Sequence, residues 1–178
     1  MDKENQDYEI EIIPSETVEM VLDFYNHITP LQAKEIGDKY SNKQPEFFQL
    51  LSEIIHLHKL KQEQYNDLFY MMCVTLRSFE YYNVEFHKFS LEELGKITKS
   101  WVAKHFKNNL SVDKRIDKMK KTIRQKELVD FFDHVILGTD QFNRQISKKD
   151  YPIVMSQLCM FVEILDKEIL KVLGHDIS

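Results

Sequence analysis

From Pro45 to Asn83 the chain contains no Gly and, after Pro45, no Pro, and its apolar residues return every three or four positions. Turned at ~100° per residue, Phe47, Leu51, Ile54, Ile55 and His58 share one face with Tyr65, Leu68, Phe69, Met72, Leu76 and Phe79. Lys59 to Gln64 is mostly polar, yet the phase carries across it. This predicts one helix of about 38 residues, with a turn near Lys61 as the alternative. Before His58 the opposite face is polar (Gln49, Glu53, His56). After Tyr65 it also carries Tyr70, Val74 and Tyr81. A helix apolar on two sides is covered on two sides, so 65–82 is expected at the centre of the core and 45–62 nearer the surface.

The same periodicity places helices along the rest of the chain. Val18, Val21, Leu22, Phe24, Tyr25 and Ile28 form a stripe over about Ser15 to Ile28, with Ser15 as N-cap. Thr29-Pro30-Leu31-Gln32 starts the next, a capping box with Pro at the first helical position, and that helix is expected to stop near Gly37. Ser90-Leu91-Glu92-Glu93 is a second capping box and opens a helix to about Lys107 that buries Leu94, Ile97, Trp101, Val102 and Phe106. Gly95 falls too early for a helix-turn-helix break, and the apolar phase suits one unbroken helix. Ser111 caps a helix whose stripe (Val112, Ile116, Met119, Ile123) broadens at Leu128, Phe131, Phe132, Val135 and Ile136 before Gly138 ends it. A short helix is expected across Asp140–Ile146. The last begins at Asp150-Tyr151-Pro152, and ten of the thirteen residues from Ile153 to Leu165 are apolar. Only Tyr8–Ile13 and Val84–Phe89 alternate with strand periodicity.

The pattern therefore predicts an all-α protein: a single-domain irregular bundle of about six or seven helices, with residues 1–14 as an N-terminal arm and 175–178 as a tail. The stretches 65–82 and 153–165 should be neighbours in its core. Four Gly and four Pro among 178 residues leave too few turns for a sandwich or barrel. No apolar run reaches membrane-spanning length, and the charged start MDKENQD lacks an export-signal core. The expected location is cytoplasmic, with Cys73 and Cys159 as buried thiols.

Charge changes the picture more than composition does. The chain carries a net −5, but Lys96 to Lys126 holds eleven Lys or Arg against Asp113 and Asp117 alone. Lys96, Lys99 and Lys107 project from one helix of this stretch, and Lys114, Lys118, Lys121 and Arg124 from the back of the next. Two helices presenting cations can meet an acidic protein or neutralise phosphates. No exposed aromatics for base stacking are evident among them.

Catalytic signatures are absent from the sequence. Gly37, Gly95, Gly138 and Gly174 stand alone and cannot form a phosphate-cradling loop. There is no Cys-x-x-Cys, His-Glu-x-x-His or Gly-x-Ser-x-Gly. Glu53-x-x-His56 has the spacing of a bundle metal ligand pair, but no second copy exists and the helical projection turns both residues outward. Asp130 and His134 likewise project away from their apolar face. His58 and His105 differ, because each lies in the middle of an apolar face, where they are expected as a buried polar site. The functional expectation is a non-enzymatic interaction or regulatory protein that meets an unknown protein partner, an acidic one being an option, through the basic 96–126 region or the exposed end of the long helix. A nucleic-acid-binding protein using helices 96–126 is the alternative, and a buried metal or small-ligand bundle the third. No cofactor is expected.

Overall fold

A computed structural model describes residues 13–81, 86–106, 110–137 and 150–172, without the side chains of residues 54, 55, 57, 58, 137 and 172. Among the described residues there are eight α-helices and no strand. They are α1 (Ser15–His27), α2 (Pro30–Lys43), α3 (Pro45–His58), α4 (Gln62–Glu80), α5 (Leu91–Phe106), α6 (Val112–Thr122), α7 (Lys126–Leu137) and α8 (Tyr151–Val172). The alternating run 8–13, apart from Ile13, and the short helix expected at 140–146 fall outside the described residues. Of the run 84–89, residues 86–89 are in neither helix nor strand.

Two expected helices are each divided in two, which raises the number above six or seven. The stretch 45–83 is not one long helix. Lys59 adopts φ 54°, its N–H still bonded to His56 O at 3.2 Å, and the left-handed residue ends α3. Lys61 is extended, and the Gln64 side chain accepts its N–H at 2.7 Å to open α4. The second break is at Ile123–Gln125, between α6 and α7. Here Ile123 is extended, and buried Gln125 and half-buried Arg124 both donate to Asp166 of α8. Two further boundaries move. Pro14, without a side-chain cap bond, holds the N-cap position expected of Ser15. Helix α2 runs through Gly37 to Lys43, because that glycine serves packing: a Cβ there would lie 2.9 Å from the Phe69 ring.

The predicted start signals are observed. Thr29 and Gln32 form the reciprocal box with Pro30 behind it. Ser90 Oγ accepts the Glu93 N–H at 3.2 Å, while the Glu93 carboxylate turns instead to His87.

The helices pack in two groups, each around one buried helix. In the first half α4 lies against α1, α2 and α3; in the second half α8 lies against α5, α6 and α7; and α4 and α8 touch each other. This is the expected meeting of 65–82 with 153–165. Nearly every apolar residue of α4 from Leu68 to Phe79 is buried, as is the run Val154–Leu165 apart from half-buried Gln157 and Glu163. Helix α3 is more deeply set than expected. Its apolar face (Phe47, Phe48, Leu51) is buried, while Gln49, Ser52, Glu53 and His56 are exposed. Phe47 sits between Phe89 at 4.8 Å and Phe161 at 4.7 Å, ring centre to ring centre, and so joins α3, the 86–90 strap and α8. The Gln44 side chain holds that strap from both ends, donating to His87 O and accepting from Phe89 N.

Because Lys59 occupies a conformation that penalises a Cβ by about 1–2 kcal/mol, Lys59→Gly should stabilise the protein by up to about 1 kcal/mol after the added unfolded-state entropy of glycine. A urea midpoint that rises with an unchanged slope is the expected result; an unchanged or lower midpoint would contradict the left-handed turn.

Candidate functional site

Helices α5 and α6 carry most of the basic stretch, and their sequences explain why they stand side by side. Each buries only a narrow stripe and leaves most of its circumference in water: Leu94 and Trp101 are buried on α5, Ile116 and Met119 on α6. Asp113 in the first turn of α6 and Lys120 and Lys121 in its last suit the helix dipole at both ends.

The cations of this stretch fall into two classes. Several are taken up by the fold. Lys104 donates to Glu163 at 2.7 Å, Arg124 grips Asp166 through two bonds of 2.9 and 3.0 Å, and Lys120 pairs with Asp133, which also accepts from Tyr151. Arg115 donates to Leu110 O at 2.7 Å and lies over the Phe106 ring at 5.7 Å. Lys96 pairs with Glu92 where both are about three-quarters exposed, a contact worth little. The second class is different. Lys99, Lys114, Lys118 and Lys121 are exposed and have no ion pair among the described residues. Lys114, Lys118 and Lys121, at i, i+4 and i+7, form one edge of α6, whereas exposed Asp113 and Asp117 form the neighbouring edge. Of the residues expected to face an anionic partner, Arg124 is therefore engaged internally and Lys107 lies outside the described residues.

Behind this surface is a buried polar centre that sequence reasoning missed. The Glu163 side chain on α8, 13% exposed, accepts from Trp101 Nε1 at 3.0 Å and from Lys104, and Lys167 Nζ is 3.5 Å away. Burial alone would raise its carboxyl, but the Lys104 hydrogen bond and the charges of Lys104 and Lys167, with the Trp101 N–H, outweigh it and hold the group below the usual carboxylate range. His105 stacks on Trp101 at 4.7 Å, with Nε2 buried, 3.4 Å from Glu163 and without a hydrogen bond. Burial lowers its tendency to protonate; Glu163 works against this, and Lys104 and Lys118 reinforce it, so the imidazole is held neutral. His58 closes α3, but its side chain lies outside the described residues, and its relation to His105 with it. The sequence singled out one member of this centre, His105, whereas Glu163 left no trace beyond being a lone Glu inside the apolar run of α8.

A cavity of about 150 Å³ opens between α5 and α8 beside Trp101, Glu163 and Lys167. Its cations Lys104 and Lys167 lie against Glu163, and Lys171 pairs with Glu168. Next to it His87 bridges two carboxylates, Nδ1 to Glu168 and Nε2 to Glu93, each at 3.0 Å. Glu53 and His56 are exposed on α3, as are Asp130 and His134 on α7. Among the described residues no group of three or more His, Cys, Asp or Glu is placed to hold a metal ion. Cys73 and Cys159 are free and buried, and burial pushes each thiol up to about 12, which leaves no thiolate for nucleophilic chemistry. No family model, curated protein or solved structure matches this chain.

The depressed groups fix a direction for acid sensitivity. Glu163 and Glu80, the latter held down by Lys43, Tyr40 and Lys39 against its own burial, have folded-state values below their unfolded ones. Their stabilisation is complete above the unfolded carboxylate value of about 4.3 and is lost as pH falls through the folded values. His105, also lowered, acts in the same direction from about pH 6.5 downward. Unfolding free energy should therefore fall steadily on acidification from pH 7. Glu163→Gln should cost about 1–2 kcal/mol at pH 7 and flatten the part of that decline below pH 5. Urea titrations at a series of pH values measure both.

Proposed function

We propose that this protein is a non-enzymatic helical interaction module that meets an acidic protein partner through the lysine edge of α6 and Lys99 of α5. The observation that carries the reading is the sorting of the basic segment. Lys104, Lys120 and Arg124 are consumed by internal acids, while Lys99, Lys114, Lys118 and Lys121 stay exposed and unpaired among the described residues. A segment that needed positive charge only for folding would have no use for the second group.

A protein surface suits this edge better than a nucleic acid does. The exposed Asp113 and Asp117 on the neighbouring edge would repel a continuous phosphate backbone, and the aromatic side chain of α5 best suited to stacking, Trp101, is only 5% exposed. A cytoplasmic setting belongs to the same reading, supported by two buried free thiols. No helix among the described residues is long and apolar enough to cross a membrane.

The test is a fluorescence titration with labelled polyglutamate and with an oligonucleotide of similar charge, at rising salt. Polyglutamate should bind at low salt, weaken as salt rises, and lose at least about tenfold in affinity when Lys114, Lys118 and Lys121 are all changed to Gln, since each surface cation near an anionic partner is worth a few tenths to about 1 kcal/mol. The oligonucleotide should bind more weakly at about 0.15 M salt. Tighter oligonucleotide binding with a steep salt slope would replace the protein-partner reading by the nucleic-acid one.

A further inference from the structure

We propose that the outer seam of α5, with the lysine edge of α6 at its C-terminal end, is the docking surface for an acidic amphipathic helix of the partner protein; this rests on the lysine-edge reading and specifies its partner. The starting observation is that α5 carries apolar side chains over a wider arc than the other described residues cover. Leu94 and Trp101 face the core at 2% and 5% exposure. Leu91, Gly95, Thr98 and Val102 recur at i, i+4, i+7 and i+11 and form a second line rotated by about 80° from the first. Leu91 and Val102 on this line are 45% and 46% exposed. A Cβ added to Gly95 would meet nothing within 4 Å, so the line is open there, while Thr98 is half-buried. The buried Thr98 hydroxyl beneath it has no hydrogen-bond partner.

The charges around the seam argue for what covers it. Lys99 borders it, exposed and unpaired among the described residues. At its C-terminal end Phe106 is roofed by Arg115 of α6, and Lys118 stands close enough for its charge to act on His105. The seam therefore runs into the Lys114–Lys118 edge. Glu92 is paired with Lys96, and Asp113 and Asp117 lie on the edge of α6 next to Lys114 and Lys121, away from Arg115 and Lys118, so the side of α6 nearest the seam presents Arg115 and Lys118. An apolar line flanked by uncompensated lysines matches a helix with an apolar stripe bordered by Glu or Asp. Such a partner places its anchors at i, i+3/i+4 and i+7 and its charges at the rim. The line from Leu91 to Val102 spans about 16 Å, three helical turns, which sets the length of partner engaged. A phosphate backbone has no use for the apolar half of this surface.

The experiment compares a labelled peptide of about 18 residues, built of Leu, Ala and Glu with an apolar stripe at helical spacing, against a scramble of the same composition and against polyglutamate. Binding to the wild-type chain and to the Leu91→Gln/Val102→Gln variant is read by fluorescence anisotropy. Both substituted side chains are half exposed, so the variant keeps its core. The amphipathic peptide should bind the wild type at least about tenfold more tightly than the scramble and lose that advantage in the variant, while polyglutamate binds both chains equally. Equal affinity of the two peptides, or an unchanged affinity in the variant, overturns the seam. So does sedimentation of the chain alone as a dimer that the variant dissociates, because a second copy is then the occupant. If polyglutamate fails to bind even the wild type, the lysine-edge reading itself is overturned.

Discussion

Asp166 is the carboxylate on which the second half of the fold turns. It sits on α8 at 6% exposure, where an unpaired charge would be several kcal/mol uphill. Arg124 satisfies it with two hydrogen bonds and Gln125 with a third, and the other end of the Gln125 amide accepts the backbone N–H of Ile13 at 2.8 Å. One buried group thus fixes the corner between α6 and α7, the entry of the chain before α1 and the register of α8. Removing the partner of a buried charge costs far more than the pair itself contributes, so this corner has no cheap alternative arrangement.

That constraint explains which features of the fold were legible in the sequence. Thr29 with Gln32 and Ser90 with Glu93 are local signals, three residues apart, and both helix starts were readable from them. The apolar density of 65–82 and 153–165 marked the two central helices because burial on all sides leaves a pattern along the chain itself. The two missed breaks have a common cause. Phase carried through Lys59–Lys61 and through Ile123–Gln125 because each flanking pair of helices packs on one shared core, and a short connector can rotate the chain back onto the same face. Continuity of the apolar stripe is thus evidence for a shared core and not for a continuous helix. What ends α3 is the left-handed backbone of a lysine, for which sequence offers no Gly or Asn signal. What ends α6 is an acid more than forty residues further on.

The same distinction runs through the charged surface. Sequence showed that 96–126 is basic and which faces its lysines occupy, since both follow from residue identity and helical projection. It did not show which cations are neutralised. Glu163, Asp133 and Asp166 lie between 13 and 59 residues from Lys104, Lys120 and Arg124, and pairing over that range is a property of the packed helices alone. Glu163 was also nearly invisible as a centre. A single carboxylate in an apolar run can be a partially exposed edge residue or a buried hub, and only the positions of Trp101, Lys104 and His105 decide between them.

Pairing in turn separates structure from recognition. Lys120 and Arg124 are partly withdrawn from water, Lys104 reaches from the surface to Glu163, and the three hold α5, α6 and the α6–α7 corner onto α7 and α8, so their charge is largely offset by internal acids. Lys114, Lys118 and Lys121 contribute almost nothing to folding, because an exposed cation without a partner neither gains nor loses much on burial of its neighbours. Their field extends into solvent over roughly a Debye length of 8 Å at physiological salt, reduced on one side by Asp113 and Asp117 on the neighbouring edge. Beside them Leu91 and Val102 of α5 are about half exposed, while Leu94 and Trp101 on the adjoining line are buried. Scattered exposed apolar side chains need no explanation. A line of them at helical spacing, ending against unpaired cations, combines the two ingredients of a protein interface, a dry centre and a charged margin.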